Sequence, residues 1–511
     1  MLPRSDVTSS HPSATGRDSL PGEWNLPAGL ERWRIPSADI AAEVRRGQKP
    51  REMICLGCAA KVDLVETVYP VLAELGRAIR ASAPITLQPR QDVYIFDSDG
   101  RIEVERGVYA LDDLVAGRAG RVEEDVRRAR PDGAILLASF TANPSRQAFL
   151  DGMLAYARAA GRARHPFTLG KGHTVQLSRT SAEQLIMVDY VRSARGGLRG
   201  VANNDTISTI DPNLPHSSWI SVFVALNNAL NDLLLCGVTQ NLTFYPSYDG
   251  RTPRDERDIR DALARYQERF RELDVRMVDR GPLGFGLKAI GATITGTTDR
   301  EVPRNEGLLE GQLLIATRPA GDLAPLTLYL IRQALGEDTG DLEDLRLRVL
   351  GEMLAPNVEA ARLIARYLPQ AGSAFDPARH ITATRDMSGP GILALEELAQ
   401  DSGRDVYLHD LALHEAHLAE VEMPNPSAGT NGAIIIAAHE EVAREVWRDL
   451  VDSGHHPWLM GEALGSSATP AVQVREDLAR FPFLASRRRP FFAHGRFVPA
   501  RPLPSPAPPR R

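Results

Sequence analysis

Cysteine is scarce in this chain of 511 residues, which contains only Cys55, Cys58 and Cys236. Three cysteines cannot build a disulfide framework, and one Cys-x-x-Cys pair lacks the second pair of ligands of a structural zinc site. Residues 1–30 also lack the apolar core of a secretory signal. These absences favour a location in the reducing cytoplasm.

An excess of basic charge is also missing. The chain has 60 Lys and Arg residues against 66 Asp and Glu residues, which gives a formal net charge of −6. Proteins that bind a phosphate backbone usually carry clustered positive charge. A nucleic acid is therefore not an expected partner.

No long hydrophobic run is free of polar side chains. The most apolar stretch, residues 219–238, carries Asn227, Asn228, Asn231 and Asp232 at its centre. Such groups are costly in lipid, so we expect no membrane partner. The stretch instead predicts a buried helix whose polar edge faces a site.

What the chain does contain is a thiol and an ammonium group three positions apart, directly after a glycine. Residues 57–61 read Gly-Cys-Ala-Ala-Lys, which places Cys58 and Lys61 just before the helical apolar spacing of residues 62–75. A nearby cation and a helix N-terminus both favour a thiolate, and lysine also binds phosphate oxygens. The competing interpretation is a small buried cysteine before a helix.

Four further segments follow in order, each with its own short motif. They are residues 209–211 (Thr-Ile-Asp), 228–233 (Asn-Ala-Leu-Asn-Asp-Leu), the pair 290–296 and 311–317, and 384–391 (Thr-Arg-Asp-Met-Ser-Gly-Pro-Gly). Together with residues 57–61, they resemble motifs of the selenophosphate synthetases. In that family these are a Gly-Cys-Gly-Cys-Lys element, a Thr-Thr-Asp strand end, an Asn-Ala-Leu-Ser-Asp helix segment, the strand-turn-strand that closes the first domain, and the Thr-Asp-Val-Thr-Gly-Phe-Gly signature that opens the second.

The resemblance implies an α/β (α+β) fold of the aminoimidazole ribonucleotide synthetase type. It would have an N-terminal ATP-binding domain at residues 166–320 and a C-terminal α/β domain at residues 321–490. It also implies ATP and Mg²⁺ at the site and a homodimer. The catalytic residues of the family fall on Cys58 and Lys61.

The same resemblance supplies candidate metal and nucleotide residues. The family's two motif aspartates, which bind magnesium and nucleotide, correspond to Asp211 and Asp232, and Asn228 and Asp386 are candidates at the nucleotide site. The family's Asp-Asp-Ala-Ala-Val metal loop has no clean counterpart here. Its nearest candidates are Asp189 and Asp205.

Two other family segments are changed, and one candidate comes from outside the motifs. The family's Gly-Gly-His-Ser segment is replaced by residues 279–282 (Asp-Arg-Gly-Pro), and the signature phenylalanine is Pro390. Lys171, in a Gly-Lys-Gly-His sequence, is a candidate phosphate contact because glycines let backbone amides approach an anion. A simple turn is the preferred interpretation there, since the full phosphate-loop pattern is absent.

The remaining segments complete the predicted domain organisation. We expect a largely disordered leader at 1–50, the catalytic Cys/Lys segment at 51–80, an additional α/β lobe at 81–165 and a disordered Pro/Arg tail at 491–511. The additional lobe is predicted to hold a hairpin at 92–107, a strand at 134–140 and a helix at 146–160.

Downstream patterns predict helices at 255–273, across 325–368 and at 440–451, and a strand at 432–438. His409, His414 and His417 could form a metal cluster, but only the last two share a helical face. Ordinary surface histidines are therefore the preferred interpretation.

The functional hypothesis that follows is an ATP-dependent phosphotransferase that makes selenophosphate, phosphate and AMP from ATP, selenide and water. One alternative is an enzyme of the same superfamily with another small-molecule acceptor. The other is a non-catalytic nucleotide-binding homologue that acts as a regulatory partner.

Overall fold

The computed structural model describes residues 28–47, 55, 57–59, 85–87, 101–104, 107–110, 167–169, 191–192, 199–250, 252–282, 290–303, 307–420, 425–485 and 497–499. The candidate residues Lys61, Lys171 and Asp189 lie outside these ranges, as do the predicted strand at 134–140 and helix at 146–160. No helix in the described ranges has the length and apolarity needed to cross a bilayer.

The first lobe is built on a five-stranded sheet in the order β5-β6-β9-β7-β8. Its strands are β5 (Val191–Arg192), β6 (Arg199–Ile207), β7 (Gln240–Tyr248), β8 (Arg276–Met277) and β9 (Ile290–Thr298). Strand β9 pairs antiparallel with both β6 and β7. This pairing fixes the register of β6, which carries site residues.

The helices of the first lobe form because their apolar faces pack on this sheet and on each other. The first two helices, α1 (Ala28–Glu31) and α2 (Ser37–Val44), precede α3 (Trp219–Leu234) and α4 (Pro253–Arg269) in the chain. A Thr252/Asp255 capping box starts α4. Phe223 of α3 packs edge-on against Tyr266 of α4.

Three further helices complete this lobe and lead into the next: α5 (Leu323–Leu335), α6 (Gly340–Leu354) and α7 (Val358–Arg366). They confirm the predicted helical run at 325–368, and α4 with the short 3-10 turn Arg271–Leu273 confirms the helix at 255–273. The predicted buried helix in 219–238 is confirmed by α3, of which only Asp232 is not buried.

The second lobe contains a seven-stranded sheet in the order β11-β13-β10-β14-β12-β15-β16. Its strands are β10 (Leu313–Ala316), β11 (Ala383–Asp386), β12 (Arg404–Leu408), β13 (Ile434–Ala438), β14 (Trp458–Ser466), β15 (Val472–Val474) and β16 (Phe497–Pro499). Helices α8 (Ala394–Ser402), α9 (Glu440–Asp452) and α10 (Pro482–Ala485) accompany it. Strand β13 and helix α9 confirm the predictions at 432–438 and 440–451.

Mixed sheets with packed helices in two lobes confirm the predicted α/β (α+β) class. The expectation that residues 311–317 close the first domain is wrong, because β10 pairs with β13 and β14 in the second sheet. The structure also departs from the disordered leader expected at 1–50, because residues 28–47 contain helices α1 and α2. There Trp33, Ile35 and Ile40 are buried in the first core, since their apolar side chains pack against neighbouring helices.

Two small sheets lie in the region of the additional lobe. Strand β1 (Ile85–Leu87) pairs parallel with β4 (Phe167–Leu169), and β2 (Arg101–Val104) pairs antiparallel with β3 (Gly107–Ala110). In the hairpin predicted at 92–107, the second strand therefore forms as β2, but its partner among the described residues is β3, which follows it in the chain. The hairpin's predicted first strand lies outside the described residues.

Candidate active site at the seam between the lobes

The polar edge of helix α3 faces the seam between the two lobes. Asn228, Asn231 and Asp232 share one side of the helix because residues three and four positions apart lie on one helical face. Both asparagines are fully buried. A buried carboxamide must find hydrogen-bond partners, so its partners identify what the site contains.

Two further carboxylates, Asp205 and Asp386, lie against this edge, and they and Asp232 each accept a hydrogen bond from an asparagine. Asn228 Nδ2 donates to Asp205 Oδ2, Asn231 Nδ2 donates to Asp386 Oδ1 (2.7 Å), and Asn203 Nδ2 donates to Asp232 Oδ2 (2.7 Å). Asp205 belongs to β6, Asp232 to α3 and Asp386 to the end of β11. We call Asp205, Asp232 and Asp386 the carboxylate cluster.

The carboxylate cluster concentrates negative charge in a poorly hydrated place. Burial, followed by the negative charge of Asp232 and then of Asp205, raises the pKa of Asp386 to about 7, although hydrogen bonds from Ser388 oppose the rise. Carboxylates forced together in this way favour a bound proton or a cation. Hard divalent cations prefer such oxygen ligands, so the residues present fit Mg²⁺.

Residues 387–391, the part of the 384–391 motif that follows β11, contact the carboxylate cluster from the second lobe. Both the backbone N–H and the hydroxyl of Ser388 donate to Asp386 Oδ1 at 2.9 Å. Gly391 has a φ of +58°, and a Cβ there would lie 2.0 Å from the carbonyl oxygen of Ser427. This close approach explains a glycine at the last position of the signature.

Cys58 lies at the same seam, within the 3-10 turn Gly57–Ala59. Its thiol donates to Asp205 Oδ2 at 3.6 Å, and its backbone N–H donates to Thr430 Oγ1 of the second lobe at 3.1 Å. The backbone of Gly57 bonds to Ser208 and Thr209 at the end of β6. The structure therefore brings the predicted residues Cys58, Asp205 and Asn228 together, although the sequence separates them widely.

Asp211 has different surroundings from the carboxylate cluster. Its Oδ2 accepts hydrogen bonds from Arg346 Nε (2.9 Å) and Nη2 (2.6 Å), and its Oδ1 accepts one from the backbone of Asn213 (2.9 Å). Asp211 and Arg346 are both buried. An arginine already balances this carboxylate, so a cation there would have to displace a buried ion pair.

The expectation that His414 is a surface histidine is wrong. Its Nε2 lies 2.8 Å from Asp322 Oδ1 and 3.8 Å from Glu352 Oε2, and its side chain is 3% exposed. The helical-face argument fails because residues 409–415 form a loop with a single β-bridge. The other predicted surface histidines differ from it, since His417 is exposed and His409 is half-buried.

Asp322, Glu352 and His414 form a group whose ligand atoms all lie within 4.8 Å of one another. That group is tighter than the carboxylate cluster. The carboxylates of the cluster are not gathered that closely, and magnesium can still bind one or two of them because it keeps several water ligands and takes others from phosphate oxygens.

Several residues that support the cluster were missed by sequence reasoning. Asn203 lies two positions before Asp205, and Asn357 Nδ2 donates to Asn231 Oδ1 at 2.7 Å. Asn431 adopts a left-handed backbone conformation, with a φ of 51°, and its backbone N–H donates to Asn228 Oδ1 at 2.8 Å. The short Thr-Asn-Gly run at 430–432 was the available signal, because asparagine tolerates this conformation better than most residues.

Fold and site together define a two-lobed α/β protein with a carboxylate cluster and a thiol at the seam. No protein-family model and no curated protein sequence matches the chain.

Among solved structures, the chain is similar to tt0281 from Thermus thermophilus, at 15% identity and a TM-score of 0.43, over 56% of this chain and 88% of the other. It is also similar to thiamine-monophosphate kinase from Stenotrophomonas maltophilia K279a, at 16% identity and a TM-score of 0.41, over 58% and 93% of the two chains. The third is a HypE–HypF complex, at 15% identity and a TM-score of 0.41, over 56% and 90%. These similarities concern overall arrangement, and the proposal below rests on the residues of the site.

Proposed function

We propose that this protein is an ATP-dependent phosphotransferase whose nucleotide and magnesium bind at the carboxylate cluster. The observation that carries the proposal is the convergence of Asp205, Asp232 and Asp386 from three elements, with the Cys58 thiol in contact with Asp205. Like charges gathered without a function would destabilise the fold, so a ligand that balances them is the simplest reason for the arrangement.

In this proposal one or two of Asp205, Asp232 and Asp386 bind the magnesium directly and the others bind it through its water ligands, and Asp189 remains a further candidate. Bound Mg²⁺ would neutralise phosphate charge and orient the triphosphate. Asn228 would orient Asp205, to which it donates. Asp211 is left out of the set because Arg346 already pairs with it.

The finer proposal is selenophosphate synthesis, on the resemblance of residues 57–61, 209–211, 228–233 and 384–391 to that family. Cys58 would hold selenide beside the nucleotide, and Lys61 would stabilise the charge that develops on the transferred phosphoryl group. Lys171 stays a candidate phosphate contact. We further propose a homodimer, as the resemblance implies, and a cytoplasmic location, which the scarcity of cysteine favours.

Phosphorus NMR under anaerobic reducing conditions tests both levels of the proposal. With ATP and Mg²⁺, we expect a new phosphorus signal together with AMP only when selenide is present. Cys58→Ser should lose that signal but keep nucleotide binding, and Asp232→Asn should weaken magnesium-dependent binding of ATP. Unchanged ATP affinity in Asp232→Asn would overturn the metal assignment.

A second candidate is a phosphotransferase of the same kind with another acceptor. The observation that favours it is the burial of Cys58, which is 7% exposed and donates a hydrogen bond to a carboxylate, as a structural cysteine would. ATP cleavage that is indifferent to selenide and to Cys58→Ser would support this candidate. Nucleotide binding without any cleavage would support a non-catalytic homologue.

A further inference from the structure

The guanidinium group of Arg318, which follows strand β10, bonds to two carboxylates and to a backbone carbonyl close to the carboxylate cluster. Its Nη1 donates to Asp322 Oδ1 (2.6 Å) and Nη2 donates to Asp322 Oδ2 (3.1 Å), which is a bidentate pair. Nη1 also approaches Glu352 Oε2 at 3.4 Å. The remaining bond from Nη2, at 2.7 Å, goes to the backbone carbonyl of Asn431.

The Asp322 group is a fixed anchor rather than a second metal site. Burial alone would raise the pKa of Asp322, but Arg318 and His414 outweigh burial and lower it. A cation among Asp322, Glu352 and His414 would have to displace a bidentate arginine that already balances the charge. The bidentate pair with Asp322 therefore holds the guanidinium of Arg318 in place where its Nη2 donates to the carbonyl of Asn431.

The peptide unit that Arg318 holds is itself constrained. Asn431 has a positive φ, a backbone conformation that asparagine adopts more readily than most residues other than glycine. The adjoining Gly432 N–H donates to Ser388 Oγ at 2.7 Å. A Cβ at Gly432 would lie 2.8 Å from the backbone nitrogen of Ser388, so the two segments are in direct contact.

From the backbone N–H groups of Asn431 and Gly432, one hydrogen-bond path leads to a carboxylate of each lobe. The N–H of Asn431 donates to Asn228 Oδ1, and Asn228 Nδ2 donates to Asp205. On the other side, Ser388 accepts from Gly432 and its hydroxyl donates to Asp386. The two paths start from the two peptides on either side of the Asn431 Cα, and Arg318 holds the carbonyl of the second peptide.

We propose that Arg318 is a positioning residue for cation and nucleotide binding. It fixes the Asn431 carbonyl and with it the backbone of residues 430–432, whose N–H groups at Asn431 and Gly432 hold Asn228 against Asp205 and Ser388 against Asp386. The inference rests on the proposed function, since it assigns Arg318 a role in the same carboxylate cluster. Lysine could keep the charge opposite Asp322 but could not reproduce the fork that reaches both Asp322 and Asn431.

The test measures binding of Mn²⁺, used as a spectroscopic stand-in for Mg²⁺, to the full chain by electron paramagnetic resonance with and without ATP. We expect Arg318→Gln and Arg318→Lys to weaken Mn²⁺ binding about 10- to 100-fold, the usual range for residues that orient metal ligands. Asp322→Asn, which weakens the anchor but keeps its shape, should shift affinity in the same direction by a smaller factor.

Arg404→Gln is the matched control, because Arg404 also joins a carboxylate, Glu310, to a backbone carbonyl, that of Leu464. Because that pair is long and its glutamate is exposed, Arg404→Gln should leave Mn²⁺ affinity unchanged, which controls for the removal of an arginine elsewhere in the same lobe. Folded Arg318 variants with wild-type affinity would overturn the inference. If they do not fold, an Asp322→Asn variant with wild-type affinity would overturn it instead.

Failure of the proposed function would look different. In that case the wild type would bind no Mn²⁺ with or without ATP, or Asp205→Asn and Asp386→Asn would bind it as tightly as the wild type. Loss in those two variants, together with full affinity in both Arg318 variants, would reject the positioning role alone.

Discussion

At the scale of single residues, His455 sets a pH dependence that is independent of the carboxylate cluster. Burial, reinforced by the positive charges of His456 and Arg318, lowers its pKa from 6.5 to about 4. The unfolded chain therefore binds a proton between pH 6.5 and 4 that the folded chain does not. The stability associated with neutral His455 is present above pH 6.5 and is lost as the pH falls towards 4.

We expect the free energy of unfolding to decrease by about 3 kcal/mol over this window because of His455. In His455→Asn, which keeps a polar group near Ser453 Oγ, that part of the decrease should disappear. Urea unfolding at pH 7, 6, 5 and 4 measures both proteins. Parallel pH profiles for wild type and variant would contradict the assignment.

Gly57 is a second residue at which a substitution has a specific predicted effect on stability. Its φ is +44°, and a Cβ would lie 2.0 Å from Thr430 Oγ1, whose position is fixed by the backbone N–H of Cys58. Gly57→Ala should therefore cost more than the backbone strain alone and should shift Cys58 away from Asp205.

Gly372 provides the matched comparison for Gly57, because its φ is +88° but a Cβ there would meet nothing within 4 Å. Gly372→Ala should cost about 1–2 kcal/mol from strain alone, and Gly57→Ala clearly more. Chemical denaturation measures both losses, and alkylation of Cys58 followed by mass spectrometry reports its displacement. Equal costs with unchanged alkylation would contradict the close packing seen at Thr430.

At the scale of elements, two consecutive residues of helix α3 have different roles. Asn227 joins helices within the fold, and Asn228 contacts the carboxylate cluster. Asn227 Nδ2 donates to the carbonyls of Met353 and Leu354 at the end of α6, and its Oδ1 accepts from Tyr266. Asn228 faces Asp205 instead. Adjacent side chains point about 100° apart around a helix, so Asn227 and Asn228 contact different parts of the protein.

Alanine at each position should produce opposite results. Asn227→Ala should reduce the free energy of unfolding by about 1–3 kcal/mol, since it leaves buried carbonyls without their donor, with little effect on Mn²⁺ affinity. Asn228→Ala should weaken Mn²⁺ binding about 10-fold or more. Chemical denaturation and Mn²⁺ titration of both variants test these expectations. Equal loss of Mn²⁺ affinity in the two would show that Asn227 and Asn228 do not have separate roles.

The elements that sequence predicted well are those with strong local periodicity. Helices α3, α4 and α9 have apolar faces that repeat every three to four residues, and β13 is an apolar run of five residues. Strand β10 also carries a clear apolar pattern, but its sheet depends on pairing with β13, which lies far along the chain. Local pattern identifies the strand and says nothing about its partner.

At the scale of the whole molecule, the site consists of contacts that no local pattern contains. Family motifs placed Cys58, Asn228, Asp232 and Asp386 as candidates, and the fold brings them to one seam. The bond between Cys58 and Thr430 joins residues 372 positions apart. Arg318 and Asn431 had no motif of their own, because their role arises only when the second lobe docks on helix α3.

Because the carboxylate cluster draws residues from both lobes, a bound ligand should stabilise both lobes together. Mg²⁺ with ATP at a hundredfold excess over the dissociation constant should raise the free energy of unfolding by about 2.7 kcal/mol. Hydrogen exchange should slow in β6 and α3 of the first lobe and equally around β11 and residues 427–432 of the second. Asp232→Asn provides the control, since it should lose this protection at the same nucleotide concentration. Protection confined to one lobe would mean that the nucleotide binds away from the seam, and the second-lobe residue Asp386 would then have no part in binding it.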